Sequence, residues 1–357
     1  MDKFRIDSHK LIYHVERVND WLKGKDIYPI YVEIGPSGSC NHRCIYCGLD
    51  FMGYKPRFLE AKVIKNRVSE MARLGVKSIM YAGEGEPLLH QDIGDIVRHT
   101  KNTGIDVAIT TNGALLNRDL ANYILGDVAW IKVSIDAGTR ETYAKIHRSA
   151  PVDFDKVIKN ITYVAELKRR KNYKCALGVQ LLLLPENSHE VIGLAKKSKS
   201  LGIDYFVVKP YSQHPLSKTK KYKSIKYAKY LYLMEELNNL NTGKFNTVFR
   251  INMMKKWDEG KRNYRHCYAL PFWSYIDASG TVWGCSNYLG HRDKTFLYGN
   301  IYRNTFKEIW QGSKREKSLR IAETELDTRL CRINCRMDEI NRYLWELKHH
   351  SEHINFI

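Results

Sequence analysis

Between residues 30 and about 210 the chain alternates short β-rich runs with longer helical ones, and no other feature restricts its fold so tightly. The strand candidates are IYVEI (30–34), VKSIMYAG (76–83), IDVAITTN (105–112), VAWIKVSID (128–136), CALGVQLLLL (175–184) and DYFVVKP (204–210). The segments between them, at about 58–74, 91–103, 117–126, 139–171 and 187–201, space their apolar residues as a helix does, for example Val63, Val68, Met71 and Leu74. Near-continuous Val, Ile and Leu strands joined by helices imply an α/β fold with a parallel sheet covered by helices. In such sheets the chemistry sits at the C-terminal ends of the strands.

After residue 212 the rhythm changes. Residues 212–257 read as a basic, mostly helical connector. Then PFWSYIDASGTVWGCS reads as a β-hairpin, two aromatic strands around the turn Asp277-Ala278-Ser279-Gly280. A helix is expected at TFKEIWQGSKREKSLRIA and another at RMDEINRYLWELKHH. The expected division is therefore an N-terminal extension (1–29), the β/α region (30–211), the connector (212–257), a small domain (258–340) and a C-terminal helix (341–357).

No apolar run reaches the ~18 residues needed to span a bilayer, and the N-terminus lacks the apolar stretch of a signal peptide. A cytoplasmic protein with no membrane partner is expected, and its eight cysteines are then metal ligands or catalytic groups rather than disulfides. The net charge of +19 favours anionic partners such as phosphates, carboxylates or nucleic acid. The run 217–230 interleaves Tyr222, Tyr227 and Tyr230 with lysines. It is either a strand-binding nucleic-acid platform or a segment whose tyrosines face the core.

Cys40, Cys44 and Cys47 stand together just after the first strand. Three thiolates fall one short of a tetrahedral structural zinc, unless His42 or a distant cysteine completes it. They can hold three irons of a 4Fe–4S cube and leave the fourth open. Cys-x3-Cys-x2-Cys, with Tyr46 before the last cysteine, resembles the radical S-adenosylmethionine (SAM) superfamily, and the resemblance runs over residues 30–210. Gly85-Glu86-Pro87 matches the family's Gly-Gly-Glu-Pro motif, with Glu84 where the first glycine usually stands. Thr111 and Asn112 in TTNG, Ser134 and Asp136 in SID, and Arg148 in KIHRS resemble further cofactor contacts. The resemblance implies a partial (β/α)6 TIM-like barrel. It also implies an open-iron 4Fe–4S cluster binding SAM, a reducing partner such as flavodoxin or ferredoxin, and a 5′-deoxyadenosyl radical that removes hydrogen from an unactivated C–H.

Cys267, Cys285, Cys331 and Cys335 lie in the small domain, the first two at either end of the hairpin segment. This pattern resembles the twitch domain, the shortened form of the SPASM extension of radical SAM proteins, and implies a β-hairpin plus helix domain with one auxiliary 4Fe–4S cluster. A zinc ribbon on the same four thiols is the alternative. Cys175 opens the fifth strand, about 25 Å from the active end at ~3.3 Å per residue, and reads as buried filler. A thiol so placed cannot return hydrogen to a substrate, which favours net oxidation over thiol-quenched epimerisation. Lys209, Tyr211 and His214, at the mouth of the sixth strand, are the candidate bases. Residues 1–29 are too few for the leader-binding module of peptide-modifying relatives, so a small hydroxylated, anionic substrate is expected: a sugar, aminocyclitol or nucleotide-linked sugar. A sugar or peptide epimerase, a ribosomal-peptide maturase and an RNA-binding or RNA-modifying iron–sulfur protein are the alternatives.

Overall fold

The computed structural model describes residues 2–291 and 293–356. Seven parallel strands succeed one another in space as in sequence: β1 (Tyr31–Ile34), β2 (Ser78–Tyr81), β3 (Asp106–Thr111), β4 (Trp130–Ser134), β5 (Ala176–Leu182), β6 (Tyr205–Lys209) and β7 (Asn246–Phe249). The hairpin strands β8 (Trp273–Ile276) and β9 (Thr281–Trp283), with β10 (Leu297–Asn300), extend the other edge. β8 runs parallel to β1, with Tyr31 beside Trp273 and Ile34 beside Ile276, while β9 and β10 are antiparallel. The result is one ten-stranded sheet ordered β10-β9-β8-β1 through β7. The small domain is thus sewn to the first strand of the barrel.

The connecting helices that matter here are α1 (Ala61–Arg73), α2 (Ile93–Asn102), α3 (Arg118–Ile124), α4 (Arg140–His147), α5 (Val152–Lys171), α6 (Val191–Ser200), α7 (Ile251–Glu259), α8 (Ser313–Thr324) and α9 (Asp338–Lys348). Alternate strand residues such as Val32, Ile79, Val107, Ile131 and Val179 point outward into the main core with the helices. Their neighbours Tyr31, Met80, Trp130, Lys132, Gln180, Leu182 and Lys209 point inward and line one cavity, which requires the sheet to curl into a partial barrel. The N-terminal segment closes the far end, where Phe4 packs on Tyr205 at 5.0 Å between ring centroids.

Three expectations change and one pair of alternatives is resolved; the helix expected at TFKEIWQGSKREKSLRIA is two, Phe306–Trp310 and Ser313–Thr324. The connector contains β7, a seventh strand whose Phe249 sits against β6 Val208. The helical stretch 139–171 is two helices, because Arg148 takes a left-handed conformation (φ 49°) at the end of α4 and Pro151 precedes α5. Tyr222, Tyr227 and Tyr230 are all buried in the main core, so the lysine run offers no aromatic stacking surface. No helix among the described residues is long and apolar enough to cross a membrane.

Candidate active site between two cysteine sets

The loop after β1 carries Cys40, Cys44 and Cys47, all partly exposed. Its shape is fixed by backbone pairing with the end of α4, Arg43 N to His147 O and Ile45 N to Ile146 O, each 2.9 Å. Burial pushes the Cys40 thiol up to about 11, and burial plus the neighbouring thiols raise Cys44. Thiols held this way lose that penalty by binding cationic iron. His42 is not a spare ligand. Its ring is 1% exposed, with Nδ1 3.0 Å from Asn112 Nδ2 and Nε2 3.2 Å from Tyr143 OH. The zinc site completed by His42 is therefore ruled out by its existing partners.

The motif residues form one buried network. Glu86 Oε1 accepts from Leu88 N (3.1 Å) and Thr111 Oγ1 (2.6 Å), and Oε2 accepts from Asn112 N (2.8 Å). Burial raises its carboxyl to about 7 against the pull of these donors. A side chain at Gly85 would meet Ser39 O at 2.3 Å, so the chain can pass here only as glycine. Pro87 opens a 3-10 turn behind Glu86. Asn112 Nδ2 donates to Asn41 Oδ1 at 2.7 Å, tying TTNG to the cysteine loop.

Other sequence candidates take different places. Asp136 is fully buried and accepts from Tyr46 OH and from Leu182 N (2.5 Å); it anchors the cysteine loop through Tyr46. Ser134 accepts from Gln180 Nε2 at 3.3 Å, facing inward. Arg148 is exposed and lies outside the cavity lining. Glu84 is buried but does not enter the cavity: it accepts from Ala278 N (2.9 Å) in the hairpin turn and pairs with Arg57 (3.2 Å).

The barrel cavity holds about 450 Å³. Tyr46 and Gly48 of the cysteine loop, inward strand residues, and Arg332 through Glu339 of the C-terminal region line it, Met337 excepted. Lys209 and Tyr211 lie on its wall; His214 does not. His214 Nε2 donates to Ser286 O (3.1 Å), Nδ1 accepts from Leu216 N (3.1 Å), and Phe51 stacks on the ring, so this expected base is a structural residue. Tyr211 OH donates to Gln213 Oε1 at 3.1 Å. Lys209 makes no side-chain hydrogen bond or ion pair among the described residues, and burial lowers its pKa to about 8. Sequence reading missed Lys132, Arg250 and Arg332, which also reach this cavity. The signal was in VAWIKVSID: Trp130, Lys132 and Ser134 alternate with Ile131 and Val133, so the lysine faces inward with the tryptophan.

Cys267, Cys285, Cys331 and Cys335 converge on a second, apolar cavity with Leu270, Phe296 and Leu326. Burial and the other thiols push Cys331 up to about 12, and Asn341 Nδ2 donates to Cys267 Sγ at 3.3 Å. Four thiols in apolar surroundings fit a fully ligated iron–sulfur cube. Cys335 lines both this cavity and the barrel cavity.

Residues 34–198 match the radical SAM superfamily, and residues 267–336, which span all four C-terminal cysteines, match the iron–sulfur cluster-binding SPASM domain. The chain is 28% identical over 197 residues to a GTP 3′,8-cyclase of Chlorobaculum tepidum, covering 54% of this chain and 57% of that protein. It is 23% identical over 305 residues to an AdoMet-dependent heme synthase of Methanosarcina barkeri, covering 80% and 83%. The match to the cyclase thus spans little more than half of that protein's length. Among solved structures, Streptococcus suis SuiB bound to S-adenosylmethionine superposes with a TM-score of 0.65 at 19% identity, over 95% of this chain and 79% of that one, a likeness of fold.

Proposed function

We propose that the chain, whose residues 34–198 match the radical SAM superfamily and 267–336 the SPASM domain, is a radical SAM enzyme that oxidises a small, hydroxylated, anionic substrate held in the barrel cavity. The observation that carries this reading is Cys335, a wall shared by the substrate cavity and the four-thiol cavity. An electron leaving a substrate there has one side chain to cross. Cys40, Cys44 and Cys47 would hold the SAM-binding cluster, and Cys267, Cys285, Cys331 and Cys335 the auxiliary one. When bound, these groups supply a 5′-deoxyadenosyl radical that takes a hydrogen atom from a carbinol carbon and an acceptor for the electron left behind.

The chain's own part is positioning and proton transfer. Glu86, Thr111 and Asn112 brace the cysteine loop against the strand ends. Lys209 takes the hydroxyl proton, so loss of a hydrogen atom, a proton and an electron turns C–H and O–H into C=O. Cys175, the one cysteine outside the two sets, is buried just before β5, away from the strand ends where a hydrogen donor would stand. That supports oxidation over thiol-quenched epimerisation. The cationic lining supports an anionic substrate, and the similarity to proteins named for acting on GTP, a nucleotide, points the same way.

The test is anaerobic turnover with a one-electron reductant, SAM and a panel of sugar phosphates and nucleotide sugars. A panel member should stimulate 5′-deoxyadenosine release and emerge two mass units lighter. An isomeric product of unchanged oxidation level, one mass unit heavier after turnover in deuterated water, would refute oxidation.

A further inference from the structure

The cavity carries more positive charge than its walls balance. Arg336 is held by Glu33 and by Tyr31 OH (2.7 Å), and Lys256 by Asp338 (2.7 Å) and Glu339. Lys132 has no such partner: among the described residues it makes no hydrogen bond or ion pair, and its Nζ lies over the Trp130 ring, 5.4 Å from the centroid. Arg250, just before α7, pairs with Asp7 at 3.5 Å, and among the described residues its Nε makes no hydrogen bond. Burial, then Lys209 and Arg250, hold Lys132 down to about 7. A partly buried inward lysine is costly when nothing neutralises it, and a second cation facing the same cavity raises that cost.

We propose that Lys132 and Arg250 form the subsite for a dianionic phosphoryl group of the substrate, leaving the hydroxylated carbons towards Lys209 and the cysteine loop. A guanidinium fork holds two phosphoryl oxygens and an ammonium neutralises the remaining charge. The proposal rests on the cavity being the substrate chamber, but its test reads binding, so it stands or falls separately from oxidation.

The experiment is thermal unfolding of the reconstituted holoenzyme at constant ionic strength, with inorganic phosphate or malonate as probe. Phosphate should raise the midpoint of the natural protein, and malonate should raise it less. Lys132→Met should lose the phosphate shift. Lys132→Gln, a polar replacement, guards against misfolding and should lose the same shift. A phosphate shift retained in either variant overturns the site, and stabilisation by malonate exceeding that by phosphate overturns the phosphoryl class.

Discussion

Glu86 shows how little freedom the site residues have. Three donors converge on its buried carboxylate, and an amide in its place sets an NH2 group against at least one of them. Glu86→Gln should cost about 1–3 kcal/mol of stability, read as a lower denaturant midpoint; an unchanged midpoint would contradict the network. Lys209 is argued from its surroundings. Burial lowers its pKa from 10.5 to about 8, Asp136 opposes the shift, and Arg250 and Arg332 add to it. A base works unprotonated, so below about pH 8 product formation should rise close to tenfold per pH unit and then level off above it. A kcat/KM profile for product that is flat across that range would remove Lys209 from the role. The two cysteine sets and Glu86 stand out in the sequence by their spacing, and the fold brings the four C-terminal thiols to one cavity. His214 was not, since only the fold puts Ser286 O and Leu216 N against its two ring nitrogens. Lys132 was legible from its alternation with Ile131 and Val133 but is hard to notice in a run that otherwise reads as apolar.

At the scale of elements, the first six strands could be read because their outward faces supply the main core. β7 could not: it has four residues, between a polar turn and the start of α7, and it is a strand because β6 offers it an edge. The single long helix expected at 139–171 breaks because Pro151 cannot continue a helix and Arg148 turns left-handed before it. Glu84 belongs to this scale, because it fastens the loop after β2 to the β8–β9 turn through Ala278 N and Arg57. Glu84→Gly strips the buried Ala278 amide of its partner and should destabilise the hairpin by about 1–3 kcal/mol. Faster hydrogen exchange at Ala278 and weaker retention of the four C-terminal-domain irons are the expected readings; exchange equal to that of the natural protein would contradict the clamp. Gly280 in the same turn has φ 79°, and a side chain there would meet the Tyr302 ring at 2.6 Å, so the turn sequence that marked the hairpin also fixes its geometry.

For the whole molecule, the decisive feature is the continuous sheet that sets β8 beside β1 and brings both cysteine sets to one barrel. The two cysteine sets read as separate in the sequence; that Cys335 lines both the barrel cavity and the four-thiol cavity depends on long-range pairing that no local pattern encodes. The +19 charge acquires a definite place in this arrangement, since cations also line the cavity and not the surface alone. The central claim is that the substrate's leftover electron crosses Cys335 to the four-thiol site. The most direct measurement is freeze-quench electron paramagnetic resonance of a single turnover, with limiting reductant, SAM and the substrate that stimulates 5′-deoxyadenosine release. The account predicts that a reduced auxiliary-cluster signal grows in step with 5′-deoxyadenosine. Full 5′-deoxyadenosine formation with product released while that cluster stays oxidised would contradict it.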